Sequence, residues 1–309
     1  MSSIMLLLFG PPQVQVDGQT VYLRKRKAEA LLAYLAVTRA VHSRDALATL
    51  LWPDFDQRRA RMYLRQQLYH LRRKLGSEHF IVTQETLGLA QTSRITTDVE
   101  QFHAHLAAAH QREMTDAVAD ALSELTQAAA LYHDDFLAGF SVGDAPGFEE
   151  WQGYERESLR RALIDTLQAL TEGYGGSDQV DQALGYAHRW ASLAPLQEAA
   201  HCSLMRLHAQ AGDQAAALAQ YDCCVALLAD ELDAPPMLAT TALYARIKSG
   251  KPLAPQQKRT QSKTQASSHH HLPRQPTPFL GRTAELAQIA RDLADPDCRL
   301  LTILGPGGI

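Results

Sequence analysis

The clearest pattern of hydrophobic and polar positions lies in residues 56–75, DQRRARMYLRQQLYHLRRKL. Its apolar positions recur at spacings of four, three and four: Leu64, Leu68, Leu71 and Leu75. This spacing places the leucines on one stripe of an α-helix, while arginine, glutamine and tyrosine cover most of the remaining surface. Because no glycine or proline interrupts the segment before Gly76, the pattern predicts one amphipathic helix that ends there.

The polar surface of this predicted helix allows two interpretations. Arginine can bind phosphate or guanine and glutamine can pair with adenine, so these side chains suit the major groove of DNA. An Arg-rich helix can equally pack its leucines in a core and expose its charges to water alone. The helix by itself leaves both interpretations open, and the neighbouring segments are needed to choose between them.

A predicted short helix precedes the long one, and a predicted hairpin follows it. Ser43 is a good N-cap for the segment SRDALATLLW, which ends before Pro53. After Gly76, residues 80–83 and 87–90 read as two strands around a polar turn. A short helix, a connection and a long Arg-bearing helix are typical of a helix-turn-helix, and the hairpin stands where a wing would follow.

The segments upstream add strands and one more helix. Residues 4–9, 13–16 and 20–23 are predicted strands, with Asp17-Gly18 as a hairpin turn. A helix is predicted for residues 24–37, and its first residues are Arg-Lys-Arg-Lys. This basic start either contacts phosphate or is solvated, and the sequence does not favour one over the other.

Residues 97–249 have a different character and predict an all-α region of seven helices. Ala183-Leu184 and Ala217-Leu218 recur at an offset of 34 residues, which is the period of tetratricopeptide repeats. A generic helical bundle remains the alternative. The fold class expected for the chain is therefore mainly α, with an N-terminal winged helix-turn-helix of α+β type and a tetratricopeptide-like helical domain behind it.

Charge separates these two regions sharply. Residues 1–95 contain 14 Lys and Arg against 7 Asp and Glu, whereas residues 96–250 contain 8 against 23. A basic head on an acidic body indicates an anionic partner for the head alone. The four cysteines form no CxxC pair and fit reduced thiols in a cytoplasmic protein. No apolar run is long enough to cross a bilayer, and outside the linker at residues 250–277 no histidine pairs with a Cys or Glu at zinc-ligand spacing.

Residues 3–96 resemble the OmpR-type winged helix, and LRKRKAEALLAYLA, SRDALATLLWP and LRQQLYHLRRKLG resemble the SARP-type regulators more closely. The resemblance implies a DNA-binding domain at residues 1–96, with residues 56–75 as recognition helix and residues 80–92 as wing. The DNA contacts that it implies are Ser43, Arg44, Arg58, Arg61, Arg65, Gln66, Tyr69 and Arg73. For the wing, the resemblance implies DNA contacts from Thr83, Gln84 and Thr86. Arg72 and Lys74 are candidates for ion pairs with the acidic body instead.

A second resemblance covers most of residues 97–247. DVEQF, LYHDDFLAGF and EEWQGYERESLRR are similar to the bacterial transcriptional activation domain, BTAD, with SVGDAPG as a somewhat long insertion. The resemblance implies an interaction domain at residues 97–249 that helps to activate transcription and self-associates. Tyr132, Trp151 and Tyr154 either line a binding surface or, as we expect more often for aromatic residues, lie in the core.

Two further segments complete the chain. Residues 250–277 are rich in Pro, Gln, Ser and Lys and predict a disordered linker. Residues 278–309 resemble the start of a signalling P-loop ATPase, because FLGR, an apolar strand and GPGG follow one another. Gly305, Gly307 and Gly308 belong to this incomplete P-loop, which lacks the later Gly-Lys-Ser/Thr and is expected to be inactive.

These observations predict a DNA-binding transcriptional activator without catalytic activity, cofactor or metal. Its expected partners are double-stranded DNA, RNA polymerase and a second copy of the chain. The protein is expected in the cytoplasm, with no membrane partner. One alternative is the N-terminal fragment of a nucleotide-switch ATPase of the STAND class. The other is a helical scaffold whose basic head docks an acidic protein.

Overall fold

The computed structural model describes residues 3–90, 92–115, 117–176 and 179–250. The predicted linker at residues 250–277, apart from Gly250, and the incomplete P-loop at residues 278–309 lie outside the described residues. Residues 3–97 contain seven strands and three α-helices, and the described residues from 98 to 250 contain seven α-helices. The prediction of a mainly α protein, with a winged helix followed by an all-α domain, is confirmed.

A four-stranded sheet opens the head, with the strand order β3-β2-β1-β7. Its strands are β1 (Ile4–Leu7), β2 (Gln13–Val16), β3 (Gln19–Thr20) and β7 (Ile95–Thr97). The first three form an antiparallel meander, as the Asp17-Gly18 turn predicts, and both turn residues have positive φ. Strand β7 pairs in parallel with β1, with Ile4 opposite Ile95. This pairing returns the chain to its first strand just before the body begins.

Three helices and a second sheet complete the head. The helices are α1 (Arg26–Thr38), α2 (Arg44–Leu51) and α3 (Gln57–Leu75). The second sheet has the order β4-β6-β5, from β4 (His42–Ser43), β5 (Phe80–Val82) and β6 (Thr86–Leu89). The antiparallel β5–β6 hairpin is the wing, and it begins after a short 3-10 turn that follows α3.

The body consists of the seven helices that the sequence predicts. They are α4 (Asp98–Met114), α5 (Val118–Leu131), α6 (Pro146–Gly176), α7 (Val180–Leu193), α8 (Glu198–Gln210), α9 (Gln214–Leu232) and α10 (Leu238–Lys248). Consecutive helices pack against each other from α4 to α10. The positions that repeat at 34 residues, Ala183 and Ala217, are both fully buried, which agrees with equivalent places in successive helical hairpins.

Head and body are joined by a buried polar contact as well as by apolar packing. Asp98, the first residue of α4, accepts hydrogen bonds from the backbone N–H groups of Leu8 and Phe9 at 2.8–2.9 Å. The N–H of Leu137 donates to the carbonyl of Leu8 at 2.8 Å, and Phe9 forms a β-bridge with Phe136. Because one hydrophobic core runs from β1 through α3 to α6, this part of the body fixes the head in place.

The described part of the chain contains no helix that is both long and apolar enough to cross a bilayer. Its three cysteines are free thiols, of which Cys202 and Cys224 are buried and Cys223 is exposed. Burial raises the pKa of the Cys224 thiol to about 11, which makes it unreactive near neutral pH. Within the same residues, no group of three His, Cys, Asp or Glu is arranged to hold a metal ion.

Candidate nucleic-acid interface

Helix α3 is fixed by the features that its sequence predicts. The side chain of Asp56 caps its N-terminus by accepting from the N–H of Arg59 at 3.1 Å. At its other end Gly76 has a φ of +102°, which a residue with a side chain rarely adopts. All four leucines of the seam are buried, at 4% exposure or less. The seam therefore decides which face of α3 points away from the protein.

The face opposite the seam carries seven exposed side chains. Their spacing follows the helix for four turns, and most are cationic or able to form hydrogen bonds. They are Arg58, Arg59, Met62, Arg65, Gln66, Tyr69 and Arg73. Tyr69 is 62% exposed, so its ring lies outside the core and is available to a partner. Arg72 and Lys74 are exposed as well, and neither has an ion pair with the described part of the body.

Arg61 differs from its neighbours because two carboxylates hold it. Its guanidinium forms a bidentate pair with Asp45, with Nη2 at 2.6 Å from Oδ2, and the same Nη2 lies 3.2 Å from Oε2 of Glu85. Hydrogen bonds from Arg61 and Gln57 lower the pKa of Asp45 to about 2, and Asp45 in turn raises the pKa of Arg61. Arg61 thus connects α3 to α2 and to the turn of the wing.

Arg44 and Ser43 connect the start of α2 to the same turn. Arg44 donates to the carbonyl of Thr83 at 3.1 Å, and its backbone N–H donates to the carbonyl of Glu85 at 2.8 Å. Burial, followed by the nearby charges of Arg65 and Arg61, lowers the pKa of Arg44. Ser43 caps α2, because its Oγ accepts from the N–H of Ala46 at 3.0 Å, as its position in the sequence predicts.

The wing turn is closed by threonine side chains. The Thr83 hydroxyl accepts from the N–H of Thr86 at 2.9 Å and from the N–H of Glu85 at 3.2 Å. The hydroxyls of Thr83 and Thr86 also lie 2.8 Å apart. Gln84, between them, is exposed. A closed turn with an exposed amide at its tip can approach a second surface without rearrangement.

The basic start of α1 contacts the body, which the sequence left undecided. Lys27 pairs with Asp144 at 2.6 Å, Arg26 donates to the carbonyl of Ser141 at 3.3 Å, and Lys25 contacts His70 of α3. These residues and α3 enclose an open cleft of about 510 Å³. Ser141 and Asp144 both belong to the insertion SVGDAPG, which therefore holds the body against α1.

The contacts of Arg44 and Arg61 connect α2, the first half of α3 and the turn of the wing, whereas Arg58, Gln66, Tyr69 and Arg73 lie exposed along α3. The sequence places Met62 opposite the leucine seam but does not single it out as a contact, and it does not indicate the pairing of Asp45 and Glu85 with Arg61. The i to i+4 spacing of Met62 from Arg58 and Gln66 was a signal for such a contact, whereas the carboxylate pairs depend on tertiary contacts. Of the body aromatics, Tyr132 is in the core, but the core interpretation of Tyr154 is wrong because it is 75% exposed.

Comparison with known proteins agrees with this architecture. Residues 97–248 match the family model of the bacterial transcriptional activator domain. The structure of Mycobacterium tuberculosis EmbR in complex with a low affinity phosphopeptide matches with a TM-score of 0.67 and 22% sequence identity, over 82% of this chain and 67% of that chain. No curated protein sequence matches. Residues 97–248 therefore form a bacterial transcriptional activator domain directly behind a winged helix, which is the arrangement of the SARP-type regulators that the sequence resembles.

Proposed function

We propose that this regulator binds double-stranded DNA through its head and activates transcription through its body, in the cytoplasm. Helix α3 enters the major groove, the wing contacts the adjacent backbone with Thr83, Gln84 and Thr86, and Ser43 and Arg44 approach a phosphate at the start of α2. The base and phosphate contacts of α3 come from Arg58, Arg65, Gln66, Tyr69 and Arg73.

The observation that supports this proposal most strongly is the exposed face of α3. A 19-residue helix that buries Ala60 and its four seam leucines leaves arginines in water across its opposite face. Residues 1–95 have an excess of seven positive charges, so the surrounding surface attracts the DNA backbone as well. Arg61 is also predicted to contact DNA, but it reaches a phosphate only by leaving Asp45 or Glu85.

The body supplies the second half of the proposed function. It carries the bacterial transcriptional activator domain, and its residues 96–250 have an excess of fifteen negative charges. Such a surface is repelled by DNA and attracts basic protein surfaces. We expect the body to contact RNA polymerase or a second copy of the chain while the head stays on DNA.

The experiment that tests DNA binding is a salt series with the full chain. Affinity is measured for the DNA upstream of its own gene and for a scrambled duplex, for the protein as it is and for Arg65→Ala. Arg65→Ala is expected to weaken binding by about 1–3 kcal/mol if Arg65 contacts a base. If Arg65 contacts a phosphate, the slope of log affinity against log salt falls by about 0.9 instead.

The matched control is Arg161→Ala, which removes the same charge from α6. Arg161 is 70% exposed and pairs within its own helix, with Glu157 at 3.3 Å. Its removal should leave affinity and salt slope unchanged. Equal losses for both variants would show a non-specific charge effect, and absence of binding at low salt would refute the proposed function and favour a protein-binding head.

A further inference from the structure

Met62 occupies the centre of the face that α3 exposes. At 100° per residue it lies about 160° from Leu64, almost opposite the leucine seam. Arg58 precedes it by one turn, and Arg65 and Gln66 follow it by one turn. Its side chain is 41% exposed, and within α3, all of which the structure describes, it is the only exposed aliphatic side chain.

The surroundings of Met62 do not explain its presence by packing. It lines an open cleft of about 490 Å³ together with Asp56, Arg58, Arg59 and Arg65, so its neighbours are charged. It belongs to none of the hydrophobic core clusters. A single exposed methionine is also too small to form a protein-docking patch. An apolar side chain among arginines instead suits a partner whose surface is mostly polar but carries one apolar group.

The major groove of DNA has such a feature. Base edges there present hydrogen-bond donors and acceptors, and only thymine adds an apolar group, its C5 methyl. In helix-turn-helix proteins the N-terminal residues of the recognition helix reach the base edges. Met62 is the sixth of the 19 residues of α3, and its unbranched thioether adapts to small apolar groups.

We propose that Met62 reads thymine by packing its side chain against the C5 methyl group. Met62 is then a specificity-determining residue, with Arg58 and Arg65 holding the backbone or a guanine on either side of the same site. This assignment rests on the proposed function, because it requires α3 to lie in the major groove.

Replacing thymine by deoxyuridine tests the assignment, because it removes only the methyl group. The full chain first selects duplexes from a randomised pool. The selected duplex is then resynthesised with one thymine at a time changed to deoxyuridine. At one or two positions the substitution should weaken binding of the unmodified protein about three- to fivefold, as expected for one buried methyl group.

Variants then assign that sensitivity to Met62. Met62→Ala should bind the thymine and deoxyuridine duplexes equally, and Met62→Leu, which stays apolar, should keep the difference. Met114→Ala is the matched control, because Met114 is 77% exposed on α4 and should change neither affinity. Since Met62 packs in no core, its replacement should not unfold the head.

The outcomes separate this assignment from the proposed function. If the protein selects a duplex but discriminates no deoxyuridine, or if Met62→Ala still discriminates, the assignment to Met62 is refuted while DNA binding stands. If the protein selects no sequence and binds no duplex at low salt, both are refuted together. Discrimination that is lost in Met62→Ala and kept in Met62→Leu supports the assignment.

Discussion

Two regions of the molecule have cores of different kinds. The main core extends from β1 through α1–α3 to α6. It contains the largest buried side chains of the described residues, among them Phe102, Phe136 and Phe148. The C-terminal core, between α8, α9 and α10, consists of Cys202, Met205, Ala217, Leu243 and Ile247. Both regions are helical for most of their length, so secondary structure does not distinguish them.

This difference indicates that the two regions unfold with different cooperativity. Aromatic side chains bury more apolar area than alanine or cysteine and hold several elements at once. Helix α3 belongs to the aromatic core, so its orientation depends on body helices as much as on the head. The C-terminal core is small and peripheral, and such regions open locally at lower free energy than the whole protein.

The largest effect is expected for Phe102→Ala. Phe102 is fully buried on α4, and its ring lies 5.5 Å from that of Phe9 in the head. Its loss should lower the free energy of unfolding by about 3–5 kcal/mol. Urea denaturation followed by circular dichroism measures the loss, and hydrogen exchange should show weaker protection in α3 as well as in α4. Unchanged protection in α3 would contradict a shared core.

Met205→Ala tests the other region. Met205 is fully buried in the C-terminal core, and its removal should cost about 2–3 kcal/mol locally. Hydrogen exchange should accelerate in α8, α9 and α10, while α3 keeps its protection and DNA affinity stays the same. A loss of protection in α3 equal to that in α8 would show that the two cores unfold together.

A smaller effect is expected for Asp144→Ala, which removes the ion pair between body and head. The pair is partly exposed, and Lys27 also lies over the Trp52 ring at 5.0 Å from its centroid. Lys27 therefore keeps one contact, and the free energy of unfolding should fall by less than about 1 kcal/mol. A double-mutant cycle with Lys27→Ala isolates the coupling. A loss of several kcal/mol would show that this pair, not the core, holds the head.

The smallest effect concerns the pH dependence of the pair between Asp45 and Arg61. Because hydrogen bonds from Arg61 and then Gln57 lower the pKa of Asp45 from 3.8 to about 2, the stabilisation from this carboxylate is present above pH 3.8 and is lost as the pH falls towards 2. In Arg61→Gln, the pKa of Asp45 measured by NMR titration should rise towards 3.8. A value that stays near 2 in this variant would assign the shift to Gln57 instead.

Local sequence features determined most of the elements, because their causes lie within one or two turns of chain. The spacing of the leucines fixed α3 and its buried face, Ser43 capped α2, and Asp17-Gly18 formed the first hairpin. Strands β4 and β7 were not predicted. Each has only two or three residues, and such short strands exist only because a distant partner pairs with them.

The sequence by itself therefore determined the basic head, the acidic helical body and the set of side chains that α3 offers to a partner. Only the tertiary structure decided which of these side chains are free. It paired Arg61 with Asp45 and Glu85, and it placed Asp98 on the backbone of Leu8 and Phe9. These contacts join residues up to 90 positions apart, and no local periodicity encodes them.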